Sequence, residues 1–242
     1  MPRFFVDAEM LAGGSCALSG EQATHMKVLR LRVGDSVTLC DGAGMDCTGV
    51  ITKITPEEVL LELGAAQKAQ SEPGILASVY MAYAKGDKLE HVIQKATELG
   101  AAEIAAFPSS RCVAKLDDKT LNKKLPRWQK IAAAAAEQSG RGRIPRVLAL
   151  PSYEEAVKRA AQADKPLFFY ENEREQSLSE ALSGGFSTVS LMTGPEGGFS
   201  AEEAQAAIDA GMLCCTLGRR ILRCETAPLC ALSAVMFAAG EY

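Results

Sequence analysis

A glycine-rich turn near the carboxyl terminus carries the residues best suited to hold a ligand. The turn Thr193–Gly198 contains three glycines and follows the apolar run Val189–Met192, which is typical of a strand buried on both faces. Ser200 then begins a helix, and Glu203 completes a predicted capping box. Glycines let the backbone approach a ligand closely, and a helix start offers free N–H groups. The turn therefore predicts a site for an anion or for the polar edge of a ligand.

A second turn of the same kind follows at once. The predicted strand Met212–Leu217 leads into the turn Gly218–Cys224, and a helix is expected from Thr226. Two strand–turn–helix units in close succession are expected to end at one edge of one sheet. Together they predict a single pocket.

The side chains of the second turn narrow the choice of ligand. No lysine stands in the first turn as it does in a phosphate-binding P-loop. The charged residues of the second turn are Arg219, Arg220, Arg223 and Glu225, and its apolar residues, with the helix start, are Leu217, Ile221, Leu222 and Leu229. Such a set fits a ligand held by backbone groups at its polar edge and by side chains at its apolar face. An adenosine-containing cofactor has this character, and so do a nucleotide and a phosphosugar.

The remaining reactive residues argue against several other chemistries. His25 and His91 are the two histidines, and neither has metal-ligand spacing around it. The eight cysteines are scattered without a CxxC pair, so no metal site is expected. No GxSxG, P-loop or GxGxxG motif occurs. Hydrolytic triads and metal-dependent hydrolysis are therefore not expected.

Basic residues concentrate in one stretch of a chain whose formal net charge is -4. Between residues 119 and 146 lie eight lysines and arginines and a single acid, Glu137. A charge run is usually a solvated helix face. Here, however, a single acid is too few to pair with eight basic residues in salt bridges along such a face. Arg141 and Arg143 also flank a glycine on a flexible turn, where guanidinium groups can reach phosphates. The stretch therefore predicts phosphate contacts.

The elements that must position these residues change in type along the chain. Residues 1–64 are β-rich and predict a compact barrel with one short helix, which Ser19 and Gln22 begin as a capping box. Residues 65–74 lose apolar periodicity and end in Pro-Gly, as a linker does. From residue 75 onward strands alternate with helices, which predicts a mostly parallel sheet covered on both faces.

Two helices are expected in the basic stretch, over residues 116–125 and 127–139, because Pro126 should stop the first. No signal-peptide pattern occurs in MPRFFVDAEM, and the longest uncharged apolar run, Ala227–Gly240, is too short to span a bilayer. We therefore expect a cytoplasmic protein without a membrane partner.

The two turns and their neighbours resemble a known family. TGPEGGFSAEE followed by LGRRILRCETAP is similar to the RsmE family of SPOUT methyltransferases. Further blocks match in family order over essentially the whole chain: MPRFFV at the start, HMKVLRLRVGD at 25–35, KGDKLEHVIQKATELGA at 85–101, SSRCVAKLDDKTLNKKLPRWQKIAAAAAEQSGR at 109–141 and IPRV at 144–147. A lone GPEGG would be modest support, whereas these blocks together are specific.

The resemblance implies an α/β fold in two parts. Residues 1–70 resemble a PUA-like RNA-binding β-barrel, and residues 75–242 resemble a SPOUT α/β domain whose carboxyl-terminal part forms a trefoil knot. The family uses S-adenosylmethionine to methylate N3 of a uridine in small-subunit (16S) ribosomal RNA. It works as a homodimer with the active site near the subunit interface. The implied partners are ribosomal RNA or the small ribosomal subunit, and a second copy of the chain.

By motif match, the resemblance also implies site residues. The cofactor-binding residues come from both turns and the start of the last helix: Thr193, Gly194, Pro195, Glu196, Gly197, Leu217, Gly218, Ile221, Leu222 and Ala227. The expected RNA contacts are Arg3, Arg30, Arg111, Arg141 and Arg143.

Methylation at uracil N3 requires an in-line attack on the methyl group and loss of the N3 proton, so the enzyme must position the base and favour its anion. Arg223 is expected against the negative charge that develops on a uracil carbonyl. Glu225 or Glu196 is the candidate base. An ion pair that orients Arg223 is an equal alternative for Glu225. The alternative for Glu196 is that it holds the loop by accepting backbone N–H bonds.

Two other functions stay open on the sequence. A non-catalytic RNA- or ribosome-binding protein would use the glycine turns only structurally and would bind neither S-adenosylmethionine nor its demethylated product. A sugar- or nucleotide-phosphate enzyme would show phosphate competition at the pocket and would have no use for the basic stretch.

Overall fold

The computed structural model describes residues 1–173 and 176–242 and separates into two compact units. The first unit contains residues 1–72 and 136–144, and the second contains residues 73–135 and 145–242. The segment 136–144 is far in sequence from the rest of the first unit. No pattern in the sequence indicates that it belongs there.

The first unit is built on a six-stranded sheet with two short helices. Its elements are β1 (Arg3–Phe5), α1 (Ala8–Leu11), β2 (Ser15–Ser19), α2 (Gly20–Val28), β3 (Ser36–Cys40), β4 (Met45–Ile54), β5 (Glu58–Leu63) and β6 (Gln67–Lys68). The strand order is β1-β3-β4-β5-β2, with β6 paired to β4. Alternate strand residues such as Leu39, Ile51 and Leu61 pack with Met26 of α2 in one buried core.

Helix α2 starts where the sequence predicts, but without the predicted cap. Ser19 occupies the N-cap position, yet its side chain makes no capping hydrogen bond. The Gln22 amide nitrogen donates to the carbonyl of Phe5, and no capping box is formed with Ser19. The Ser19–Gln22 capping box is therefore wrong, and Gln22 ties α2 to β1.

The second unit alternates strands and helices around a parallel sheet. Its elements are β7 (Leu76–Ala82), α3 (Lys88–Glu98), β8 (Glu103–Phe107), α4 (Asp118–Gln138), β9 (Arg146–Ala149), α5 (Tyr153–Ala160), β10 (Lys165–Phe169), α6 (Leu178–Ala181), β11 (Thr188–Thr193), α7 (Ala201–Asp209), β12 (Leu213–Cys215) and α8 (Ala227–Ala238). The last residues of α4 are grouped with the first unit. The strand order is β12-β10-β11-β7-β8-β9, and each of these pairs is parallel. The predicted parallel sheet is confirmed.

Helices cover both faces of this sheet. Helices α5 and α7 share a buried cluster with alternate strand residues, including Tyr80, Phe107 and Phe168. The strand residues between these, such as Met81 and Ile104, are equally buried and point to the opposite face. There α3 and α8 pack on each other and on β7, β8 and β11. Strands covered on both faces are apolar throughout because neither face meets water.

Helix α4 is continuous across Pro126, so the prediction of two separate helices is wrong. Pro126 has no N–H for the carbonyl of Asn122, but both residues are exposed, and water can hydrate that carbonyl. The apolar stripe keeps its helical phase through the proline, from the half-buried Leu125 to the buried Trp128 and Ala132. Packing along this stripe holds both halves in one helix.

Candidate active site at the ends of three strands

Three neighbouring strands of the second unit end at the same edge of the sheet. Strand β10 pairs in parallel with both β11 and β12, so the loops after all three converge, as ligand-binding loops do in open α/β sheets. The predicted capping box behind the first turn is present. The Ser200 hydroxyl accepts the Glu203 N–H at 3.1 Å, and the Glu203 carboxylate accepts the Ser200 N–H at 2.9 Å. Helix α7 therefore starts directly after the glycine-rich turn.

The converging loops border a cavity of about 440 Å³, which is within the usual size of small-molecule sites. All ten residues that the sequence predicts as cofactor-binding line this cavity. Arg223 lines it as well, whereas Glu225 does not. The structure thus brings the two predicted turns to one cavity, and their binding of a cofactor stays a prediction.

The lining combines three kinds of surface. The turn Thr193–Gly198 contributes backbone groups, and the second turn contributes apolar side chains such as Leu217, Ile221 and Leu222. Charged side chains also face the cavity: Lys88, Glu171, Glu196, Arg220 and Arg223. This donor set fits a ligand with an apolar ring system and polar substituents, as an adenosine-containing cofactor has.

A close approach within the turn explains one of its glycines. Gly198 has φ of 65°, in the left-handed region, and a Cβ there would collide with the carboxylate of Glu171. A larger residue would strain the backbone and displace the Glu171 carboxylate, so both conditions favour glycine. The carboxylate of Glu171, in the loop after β10, therefore rests directly on the backbone of the glycine-rich turn.

Glu196 is tied to the start of α3. Its Oε1 accepts hydrogen bonds from the N–H of Lys85 at 2.9 Å and from the ammonium of Lys88 at 3.0 Å. Partial burial raises the pKa of the Glu196 carboxyl, but these two donors outweigh that effect and bring the pKa below its usual range. Glu196 therefore stays ionised and holds the glycine-rich turn against the start of α3.

Lys88 also reaches the second predicted carboxylate. Its ammonium lies 3.7 Å from Oε2 of Glu225. The pKa of the Glu225 carboxyl is lowered, first by its own backbone N–H and, against the raising effect of burial, by the Cys224 thiol and by Lys88, with a smaller contribution from Arg223. The cation paired with Glu225 is thus Lys88, so an ion pair that orients Arg223 is not formed.

Arg223 presents an available guanidinium to the cavity. Its backbone carbonyl accepts N–H bonds from Thr226 at 2.9 Å and from Ala227 at 3.0 Å, which fixes the chain at the start of α8. The side chain is exposed, and within residues 1–173 and 176–242 it makes no hydrogen bond or ion pair. A group with this placement can serve a ligand without breaking a contact.

The arginines expected to contact RNA lie in different settings. Arg111 is exposed and donates to the carbonyl of Gly197 at 3.2 Å, at the border of the cavity. Arg30 is exposed at the end of α2, and Arg143 is half-buried in the first unit. Arg3 is largely enclosed and pairs with Asp46 at 3.2 Å.

Arg141 is buried and paired with a carboxylate. The residue is 3% exposed, and its Nη2 donates to Oε2 of Glu72 at 2.7 Å. The other oxygen of Glu72 accepts the backbone N–H groups of Gly142 and Arg143, each at 3.0 Å. Arg141 therefore anchors its loop to Glu72, and the expected RNA contact is a poor assignment for it.

Sequence reasoning missed three residues of this region. Burial raises the pKa of Cys224 to about 12, so its neutral thiol donates to Glu225 at 3.2 Å. Lys88 lies in the family block at 85–101, but no spacing rule connects it to Glu196, which is 108 residues away. For Glu171 a signal was available, since it directly follows the apolar run Leu167–Tyr170, at the carboxyl end of a strand, where ligands bind.

Residues 1–173 and 176–242 contain no group of three or more His, Cys, Asp or Glu side chains arranged to hold a metal ion. Over the same ranges, no helix has the length and apolar character needed to cross a membrane.

Family models match both parts of the chain. A model described as an RNA methyltransferase domain matches residues 71–236, well over half of the sequence. A model described as an RNA methyltransferase PUA domain matches residues 18–64. Together with the parallel α/β sheet, these matches define the class as RNA methyltransferases with an amino-terminal PUA-like domain.

Individual relatives narrow the class. Proteins named Ribosomal RNA small subunit methyltransferase E are similar to this chain: that of Bacillus subtilis is 34% identical over 98% of this chain and 96% of its own, and that of Mycobacterium tuberculosis is 30% identical over 96% and 90%. The Neisseria gonorrhoeae structure of that name, bound to S-adenosyl methionine, has a TM-score of 0.86 and 32% identity over 98% and 97% of the two chains. A Legionella pneumophila methyltransferase with bound cofactor SAM has a TM-score of 0.83 and 31% identity over 98% and 97%. The chain belongs to the ribosomal RNA small subunit methyltransferase E family, as its sequence blocks predict.

Proposed function

We propose that the protein transfers a methyl group from S-adenosylmethionine to N3 of a uridine in small-subunit ribosomal RNA. The observation that carries the proposal is the cavity itself, because two turns from different parts of the sequence border it together with Arg223. Membership of the family supports the reaction, and the cofactor in the Neisseria gonorrhoeae and Legionella pneumophila structures supports the choice of methyl donor.

The chain's own residues account for how the uracil would react. S-adenosylmethionine, when bound, supplies an electrophilic methyl group. Arg223 would donate to a uracil carbonyl oxygen, where negative charge collects as N3 loses its proton. Such a donor is typically worth about 10²–10³-fold in rate.

The two carboxylates take different roles in this proposal. Glu196 is already bound by Lys85 and Lys88, so we assign it to holding the turn that borders the cofactor. Glu225 is the proposed base for the N3 proton. Its lowered pKa keeps the carboxyl ionised, which is the form that accepts a proton.

The RNA surface is proposed from exposed cations. Lys119, Lys123 and Lys130, here called the α4 stripe, follow one face of α4. All three are exposed, and within the described part of the chain none forms an ion pair. Arg127 of the same helix pairs with Glu90 at 2.7 Å. We propose that the stripe binds RNA phosphates.

Four of the predicted arginines are kept as further RNA contacts: Arg3, Arg30, Arg111 and Arg143. Arg111 has the strongest support, because its contact with Gly197 places it beside the cavity. Arg141 is left out because it is buried against Glu72. Residues 1–70 would act as the RNA-binding domain and residues 75–242 as the SPOUT catalytic domain, in the cytoplasm, where ribosomal subunits are assembled.

A trefoil knot in the carboxyl-terminal part is proposed on the resemblance to SPOUT methyltransferases. The strand order supports it: β12 lies beyond β10 at one edge, while the following helix α8 packs on β7 and β11. The chain must therefore turn back across the sheet after β12. An experimental structure whose backbone runs free of threading would contradict the knot.

The same resemblance and the character of α8 support a homodimer. Helix α8 contains no charged residue, and a helix that is apolar on all sides is normally buried. Phe237 is nevertheless 72% exposed and Cys230 is also exposed. We propose that a second copy of the chain covers this face.

The decisive experiment is methyl transfer with mapping of the product. Purified protein would be incubated with methyl-labelled S-adenosylmethionine and either naked small-subunit RNA or assembled small subunits. Label at N3 of one uridine is the expected result. Binding of RNA without any transfer to either substrate would favour a non-catalytic RNA-binding protein.

A further inference from the structure

The carboxylate of Glu171 is set apart from the other acids around the cavity. It lines the cavity and is half-buried. Within residues 1–173 and 176–242 it has no hydrogen bond or ion pair. Glu196, the other carboxylate of the lining, is satisfied by Lys85 and Lys88. A half-buried carboxylate without donors is unfavourable, so Glu171 is suited to receive them from a ligand.

The backbone around Glu171 is adapted to its position. The carboxylate lies against the backbone of Gly198, where a Cβ would overlap it. The left-handed φ of 65° at Gly198 also favours glycine. The last glycine of the turn therefore seats the carboxylate of Glu171 at the wall of the cavity.

We propose that Glu171 binds the two ribose hydroxyls of S-adenosylmethionine. A carboxylate has two oxygens that accept from adjacent O–H donors, and acidic residues after a strand serve ribose hydroxyls in other nucleotide sites. The inference rests on the proposed function, because it assumes that an adenosine-containing cofactor occupies the cavity. Glu171 is then a binding residue that acts on the part of the cofactor shared by substrate and product.

Calorimetry with three ligands tests this role without an activity assay. Glu171→Ala should weaken S-adenosylmethionine, S-adenosylhomocysteine and 5′-methylthioadenosine by the same factor, about 10- to 100-fold, because all three carry the ribose. Glu154→Gln, an exposed carboxylate of α5 outside the cavity, should leave all three affinities unchanged. Loss confined to S-adenosylmethionine would assign Glu171 to the sulfonium charge and overturn the proposal, and unchanged affinities would remove Glu171 from the site.

A double-mutant cycle checks the link to Gly198. If Gly198 positions Glu171, Gly198→Ala should lower the affinity for S-adenosylmethionine mainly by displacing the Glu171 carboxylate. The double variant should then lose no more affinity than the weaker-binding single variant. Additive losses would contradict the link. Thermal unfolding of each variant shows that the fold is retained. If the wild-type protein bound none of the three ligands, the proposed function itself would fail, which is distinct from failure of the Glu171 assignment.

Discussion

Single residues around the cavity divide into charges that are held and charges that are available. Lys88 binds Glu196 and lies beside Glu225, which fixes two loops to the start of α3. Arg223 and Glu171 make no hydrogen bond or ion pair within the part of the chain that the structure describes. The paired charges, Lys88 with Glu196 and Glu225, support the shape of the site. Arg223 and Glu171 are expected to bind ligands.

Arg223→Ala should lower methyl transfer to ribosomal RNA by about 10²–10³-fold, because it removes the donor to the uracil carbonyl. The affinity for S-adenosylmethionine should change little. Arg219→Ala is a matched control, since Arg219 is exposed in the same turn but does not line the cavity. Single-turnover transfer and calorimetry would measure the two effects. Full activity of the Arg223 variant would end its assignment.

Lys88→Met should destabilise the protein at neutral pH but not in acid. The hydrogen bond of Lys88 lowers the pKa of Glu196, and a depressed carboxyl pKa adds stability that is present above the unfolded pKa and lost as pH falls through the folded one. Urea unfolding should therefore show a lower midpoint for the variant at pH 7, with the difference closing below about pH 4. The exposed Lys158 of α5 provides the control Lys158→Met, which should show no such pH dependence.

At the scale of elements, α4 turns a run of basic residues into an ordered surface. A helix broken at Pro126 would point its two halves in different directions, whereas the continuous helix keeps Lys119, Lys123 and Lys130 on one side. The buried Trp128 lies on the opposite, apolar side. The stripe owes its alignment to packing that holds the helix through the proline.

Replacing Lys119, Lys123 and Lys130 with alanine should weaken RNA binding and its salt dependence together. Each lost contact with single-stranded phosphate lowers the slope of log affinity against log salt by about 0.7, so the triple variant should lose about 2. Lys158→Ala should leave the slope unchanged. Titrations at several salt concentrations would measure both. Binding that weakened without a change in slope would contradict phosphate contacts at the stripe.

At the scale of the whole molecule, the proposed dimer is tested at the exposed apolar surface of α8. Phe237→Glu should shift the protein from dimer to monomer in sedimentation velocity, because a buried unpaired charge opposes association. Ile208→Glu is the control, since Ile208 is exposed on α7 and lies outside the proposed interface. A dimer that survived Phe237→Glu at micromolar concentration would place the interface elsewhere.

The success of the sequence predictions depended on the range of the interaction. The Ser200–Glu203 capping box was predictable because both partners lie within one turn of helix. The same rule failed at Ser19, where Gln22 found a partner in β1. Pro126 predicts a helix stop because of its local cost, but the packing of Trp128 and Ala132 outweighs that cost. The turn around Arg141 predicts a phosphate contact, but Glu72, 69 residues away in sequence, holds the guanidinium.

The sequence by itself determined the parallel α/β unit, the two glycine-bearing turns and the family, because apolar periodicity, turn residues and family blocks are properties of order along the chain. Only the tertiary structure decided which charges meet. Lys88 and Glu196 are 108 residues apart, and Glu171 reaches Gly198 because their strands are neighbours in the sheet. Contacts of this kind follow from strand order and loop convergence, which spacing along the sequence does not encode.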